Sequence, residues 1–435
     1  MTLVQTLMRR RLLLDIGQVW MAAMVANILL YLFQLMAGRG LEPSDYGLFG
    51  ALFGIIYLSG ALASGIQLSM AKIVADWRGS DRQAYTSLLV TSALLQVALV
   101  GGAILLLFSL ASPWIISFLR GAAPTPVLIA GITVFLILIW AVPQGAIQGQ
   151  ERFLWLSSIS VVNAAARLVL GLGALVLGLG ISGVLSAVGL AALVAIAVSM
   201  LVVRPSSTVS LKALPMRTAS GVLAPILIGT VAMNFVTSAD VVIVRHLLPS
   251  VDAGLYAGAA TLGRIVLFLS GAISLVLFPK MSYHWSMGRS PRGLLYKGLG
   301  VTALLSGAAT LGFVLFPGLA LTVLLGSEYA GAREVVPVYA AAMFSFALTT
   351  VFLYYHLATG RTSYLYVLLP HILAPLALVY TFHDSLTQVA WVVLGANVSL
   401  LASSFLFTRV TGSQEARNTK LLIASAGAVR SNPAQ

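Results

Sequence analysis

Twelve stretches of about 20 or more apolar residues, parted by short polar gaps, leave this chain few ways to fold. They lie near 17–37, 46–70, 85–109, 125–147, 156–179, 182–203, 221–244, 254–279, 298–321, 335–358, 363–382 and 387–408. A helix of about 20 apolar residues crosses the hydrocarbon core of a bilayer, where the backbone must satisfy its own hydrogen bonds. The expected fold is an all-α polytopic membrane protein with about 12 transmembrane helices. Composition agrees: 9% of residues are charged, where a soluble domain carries about 25%, and mean hydropathy is +1.00. Arg9, Arg10 and Arg11 precede the first run and no small-residue cleavage site follows, which reads as a retained first helix.

Charge placement orients the helices. With the N-terminal end inside, 19 of the 25 Lys and Arg residues fall in inner segments, against Arg39, Arg120, Arg245 and Arg333 in outer loops. Acidic residues divide five against six, as expected when only basic residues set topology. Both termini are thus expected in the cytoplasm, with the protein multi-pass in the inner (cytoplasmic) membrane. The formal charge of +13 has the same topological origin, so no nucleic-acid partner is expected. Cysteine is absent, which excludes disulfides, thiolate metal sites and thiol nucleophiles.

The first two runs recur at an offset of 207 residues. Asn27 matches Asn234, Leu41 matches Leu248, Asp45 matches Asp252, and Gly47-Leu48 matches Gly254-Leu255. Asp45 and Asp252 are expected to cap the helices that follow, and the glycines to let those helices start close to a neighbour. An offset of six helices preserves orientation. It implies two six-helix bundles related by a pseudo-two-fold along the membrane normal, an N-lobe at 1–204 and a C-lobe at 221–409. An inter-lobe loop at 205–220 joins them, and a flexible cytoplasmic tail is expected at 410–435.

Arg167 and Arg264 stand alone in apolar runs, one in each lobe. An ionised group at mid-depth costs several kcal/mol, about 2.5–3.5 on insertion scales, and usually faces a cavity or a partner. Arg167 shares a small, polar stripe with Ser160, Asn163, Ala164, Gly171, Ala174 and Gly178. Around Arg264 stand Ala257, Ala260, Thr261, Phe268 and Gly271. Arg167, Arg264, Asn163 and Asn234 are the candidate substrate-binding residues of a cationic chamber between the lobes. Asp240 is the single acidic residue inside a run, near Thr230, Asn234 and Thr237. Three roles remain open for it: an ion pair with Arg264, a local pair with Arg245, or a site for a coupling proton or sodium. Pro143, Pro225, Pro370 and Pro375 are candidate hinges.

The loops are too short for a folded catalytic domain, and no zinc pair, nucleophile elbow, phosphate loop or carboxylate cluster is present. No enzymatic activity, catalytic residue, metal site or cofactor is expected, with coupling to proton, sodium or membrane potential left open. The segments "LEPSDYGLFGALFGI" at 41–55, "PQGAIQGQERF" at 143–153, "NFVTSADVVIVRHLLPSVDAGLYAGAATLGRI" at 234–265 and "LFPKMS" at 277–282 resemble the oligosaccharide-lipid and polysaccharide flippases of the multidrug/oligosaccharidyl-lipid/polysaccharide exporter (MOP) superfamily. That resemblance, over most of residues 12–409, implies a V-shaped pair of six-helix bundles that flips polyprenyl-diphosphate-linked glycans outward. It implies a cationic cavity that includes Arg264. Helix one offers Gln18, Asn27 and Gln34 but no arginine, which favours O-antigen, capsule or exopolysaccharide units over peptidoglycan precursor. Expected partners are the lipid-linked glycan, the bilayer and other polysaccharide-assembly proteins. The alternatives are a multidrug or cation antiporter of the same superfamily and a membrane-embedded polysaccharide polymerase or ligase.

Overall fold

The computed structural model describes residues 3–77, 86–120, 123–204, 220–287 and 289–430. Residues 205–219 of the expected inter-lobe loop lie outside this set, as do Arg78, Arg82, Lys212 and Arg217. The described residues contain no strand. In the first half the helices are α1 (Leu3–Gly40), α2 (Pro43–Trp77), α3 (Thr86–Leu110), α4 (Ser112–Phe118), α5 (Pro124–Gly149), α6 (Phe153–Val176) and α7 (Gly180–Val203). The second half holds α8 (Ser220–Leu247), α9 (Ser250–Ser286), α10 (Arg292–Leu315), α11 (Pro317–Leu324), α12 (Val335–Ala358), α13 (Leu365–Thr381) and α14 (Leu386–Arg430).

All twelve apolar runs are helical, and among the described residues 10 helices are long and apolar enough to cross a membrane. The other two runs form α8 and the 17-residue α13. Several helices turn apolar faces outward. On α3, Leu99, Val100, Leu106, Leu107 and Leu110 are all exposed, a surface that suits acyl chains and not water.

The repeat is carried by the backbone. α2 starts at Pro43 and α9 at Ser250, the 207-residue offset read from the sequence. The short α4 and α11 extend it: each follows the third long helix of its lobe, and each has proline in its first turn. Pro113 and Pro317 lack an amide hydrogen and favour a helix start, so the chain restarts there. The run expected at 298–321 is accordingly divided between α10 and α11. α9 continues to Ser286, which shortens the loop expected from 280. α14 continues as helix through Arg430, where a flexible tail was expected from 410.

Within the N-lobe, α2 packs on α5, and α6 on α1 and α7; within the C-lobe, α12 packs on α9, α10 and α14, and α13 on α8 and α14. The lobes meet chiefly where α2 lies against α8 and α9. A glycine row on α2 makes this approach possible. A Cβ on Gly47 would stand 2.7 Å from the Gly254 nitrogen, and one on Gly254 would collide with the backbone oxygen of Pro43. Gly50 and Gly54 continue the row against Val241 and Val242. Gly47 and Gly254 are equivalent positions in mutual contact, which places them beside the pseudo-two-fold axis.

Hydrogen bonds close the same end. Tyr46 Oη and Thr261 Oγ1 lie 2.8 Å apart, and Tyr31 Oη donates to the Thr261 carbonyl at 3.1 Å. Arg120 donates to the Leu247 carbonyl at 2.6 Å and Arg245 to that of Ser44 at 3.2 Å. His246 stacks on Phe118 and donates through Nδ1 to its carbonyl at 2.7 Å. We call this closed end the seam; it carries the loops poor in basic residues.

Asp45 and Asp252 are not caps. Each lies in the first turn of its helix, and the residue at the α9 N-cap is Pro249, without a side-chain bond. Prolines at 43 and 249 start the helices earlier than the aspartates would. There the carboxylates still face the positive end of the helix dipole.

Candidate substrate chamber

Between the lobes, beyond the seam, lies a cavity of about 190 Å³. Arg264, Asn234, Gln34, Tyr57, Thr350 and Tyr354 contribute its polar lining. α9 delivers Arg264 three residues after the seam contact Thr261, so one helix face carries both. Arg264 Nη2 donates to the Thr237 carbonyl at 2.6 Å, while its buried Nε has no hydrogen-bond partner among the described residues.

Arg167 approaches from α6. Its guanidinium carbon lies 6.0 Å from the centre of the Phe33 ring, in cation–π range. Its Nε is buried and unpartnered, and it forms no hydrogen bond with the described residues, helix carbonyls included. One turn earlier Asn163 is 4% exposed, and its Nδ2 has no hydrogen-bond partner among the described residues. Neither Asn163 nor Arg167 lines the cavity itself. Tyr57 connects the two sides: it lines the cavity, is 43% exposed, and lies within electrostatic reach of both Arg167 and Arg264.

Asp240 is buried, at 7% exposure. Its Oδ2 accepts from Tyr339 at 2.7 Å and from Tyr256 at 3.0 Å; its Oδ1 is buried without a hydrogen-bond partner among the described residues. No direct ion pair joins it to Arg264 or Arg245. Arg245 spends its Nη1 on the Ser44 and Ser250 carbonyls, and the close ion pair among the described residues is the exposed Lys72–Asp76 at 3.8 Å. Two phenols bond the carboxylate without a second desolvated charge, and Tyr339 also reaches Arg264. Asp240 borders a second cavity of about 30 Å³ with His371 and Asn397, whose Oδ1 is likewise buried and unpartnered.

Sequence reasoning missed Tyr57, Tyr256, Tyr339, His371 and Asn397. For Tyr57 the signal was present: at an offset of 207 it is the counterpart of Arg264. Phe33, beneath Arg167, is in the same way the counterpart of Asp240.

Residues 12–285 match the family described as "Polysaccharide biosynthesis protein". The chain belongs to that family. The match takes in both arginines, Asp240 and Tyr57. No curated protein sequence matches the chain. In fold it is similar to an inward-facing multidrug resistance MATE family transporter of the MOP superfamily, with TM-score 0.77, 13% identity, and coverage of 89% of this chain and 94% of that one. It is also similar to the lipid II flippase MurJ in an inward closed conformation, with TM-score 0.71, 14% identity, and coverage of 90% and 87%. An outward-facing MATE family transporter aligns less well, with TM-score 0.61, 16% identity, and coverage of 92% and 95%. The chain is thus a multi-pass membrane protein with the fold shared by these MATE and MurJ structures.

Proposed function

We propose that this protein flips a polyprenyl-diphosphate-linked oligosaccharide, an O-antigen, capsule or exopolysaccharide repeat unit, across the cytoplasmic membrane by alternating access. The observation that carries the reading is Arg264 in the wall of the cavity between the lobes, with a buried Nε that has no hydrogen-bond partner among the described residues; on α6, Arg167 Nε and Asn163 Nδ2 are likewise buried without a partner among them. A buried unsatisfied donor costs about 1–3 kcal/mol, more when charged, so such a set calls for an acceptor-rich anion. A diphosphate fits that need, and charge-assisted bonds to guanidinium are strong in a low dielectric. The glycan would occupy the polar space beside Gln34, Asn234 and Thr350 while the polyprenyl tail stays in lipid. The family match and the likeness to a lipid II flippase support the same substrate class.

In this reading the termini lie in the cytoplasm, the seam faces outward, and no covalent chemistry is performed. The orphan oxygens of Asp240 and Asn397 fit a coupling proton or sodium at the small cavity. Membrane potential and downstream consumption are the alternative driving forces. Other polysaccharide-assembly proteins would supply and consume the cargo. A multidrug antiporter of cations would want an acidic chamber, whereas two arginines approach this one and the aspartate is tied to tyrosines. The test is Arg167→Ala with Arg264→Ala. Export of lipid-linked glycan should stop while the protein still inserts; undiminished export would refute the cationic chamber.

A further inference from the structure

The segment Pro143–Phe153 takes no part in the chamber, and its structure gives it a different task. Gly145 and Gly149 lie against the α2 backbone at Gln67 and Ala71, and Gln67 Nε2 donates to Gln148 Oε1 at 2.8 Å. These contacts anchor the end of α5. The chain then turns sharply through Gln150, Glu151 and Arg152 into α6, with Glu151 at φ +56°. Arg204, at the end of α7, has φ +51°. Among the described residues three that are not glycine have positive φ, and two of them flank one hollow. Left-handed backbone costs about 1–3 kcal/mol at such residues and persists where the surroundings enforce it, often at binding sites.

That hollow has a volume of about 550 Å³. Arg152, Arg204, Gln150 and Trp155 line it, over an apolar wall from Val198 to Val203. No carboxylate lines it; Glu151 stands beside it. Arg152 Nη1 donates to the Val202 carbonyl at 3.1 Å, which steadies the side chain and leaves its remaining N–H groups for a ligand. Arg204 is exposed and has no partner among the described residues. Trp155 is 51% exposed and Leu201 75%. Two cations above an apolar wall, with an indole at the boundary, match a phosphate headgroup whose acyl chain runs down the helices. A free anion would gain nothing from Trp155 or Leu201.

We propose that this hollow binds the phosphate headgroup of an anionic phospholipid of the surrounding leaflet. The site is separate from the chamber and independent of what the chamber carries. Native mass spectrometry of the purified protein, supplied with phosphatidylglycerol or phosphatidylcholine, tests it. One phosphatidylglycerol should be retained in preference to phosphatidylcholine. Each arginine near a membrane surface contributes about a fivefold effect, so Arg152→Gln with Arg204→Gln should weaken retention roughly thirtyfold. Lys280→Gln, a basic control elsewhere, should leave it unchanged, and Trp155→Phe should weaken it. Should the double variant fail to fold, the exposed Arg204→Gln alone should still show about a fivefold loss. Undiminished retention by the arginine variants, equal retention of phosphatidylcholine, or displacement by inorganic phosphate at matching concentration overturns the assignment.

Discussion

Tyr57 and Arg264 occupy equivalent positions of the two halves, 207 residues apart, and both line the cavity between the lobes. Where the C-lobe places a cation, the N-lobe places a phenol and brings its own cation, Arg167, from a different helix. Tyr57→Phe removes one hydroxyl, worth about 0.5–1.5 kcal/mol, and should slow glycan export no more than about tenfold. Tyr57→Ala also removes the ring that lines the cavity within electrostatic reach of both guanidinium groups and should slow it much further. Export rates in a deletion strain, normalised to protein in the membrane, check both; equal loss in the two variants would argue against the ring's role.

Arg167 is half-buried, with its Nε fully buried and no hydrogen bond to the described residues, so its charge is held at a cost. Replacement by methionine, which can still cover Phe33, should raise thermal stability by about 1–3 kcal/mol while abolishing export. Melting curves in a mild detergent measure the first effect. A melting temperature that falls would mean that the guanidinium is satisfied in the resting protein.

Asp240 joins α8, α9 and α12 through Tyr256 and Tyr339. Asp240→Ala strands two buried hydroxyls and should destabilise the protein by about 2–4 kcal/mol. Asp240→Asn keeps an acceptor for them and should fold nearly normally. If Asp240 serves coupling, the asparagine variant should lose the dependence of transport on the ion gradient, measured in proteoliposomes; retained dependence would leave the aspartate a structural role.

Five side-chain hydrogen bonds cross the seam, each worth about 0.6 kcal/mol by membrane mutant cycles, so together about 3 kcal/mol. Thr261→Val removes one and should shift the closed population only about threefold. Gly254→Ala forces a methyl group onto the Pro43 backbone and should open the seam outright. The chain has no cysteine, so spin labels at Glu42→Cys and Val251→Cys can report the separation directly. An unchanged distance in Gly254→Ala would contradict the close approach.

Much of the fold was legible because each apolar run had to be helical, and because the match of Gly47 to Gly254 needed no gap. Helix ends were less legible: Pro317 starts a short helix inside a run whose hydropathy hardly changes, and Pro113 starts one in the gap after another run. In the chamber, lone charges were conspicuous, and Arg264 and Asn234 line the cavity. The tyrosines around Asp240 were not legible, since a tyrosine in an apolar run reads as core until its partner is known. The role of Arg167 on Phe33 depends on how α1 packs against α6, which no local pattern encodes.

Along α9, Gly254, Thr261 and Arg264 follow one another down a single face, so the crossing point of the lobes, the clasp and the ligand arm ride one stiff rod about 15 Å long. A tug on the arm cannot leave the clasp untouched. Under the proposed transport cycle, a pull on the arm is transmitted to the far door along the same rod, with no messenger needed between them.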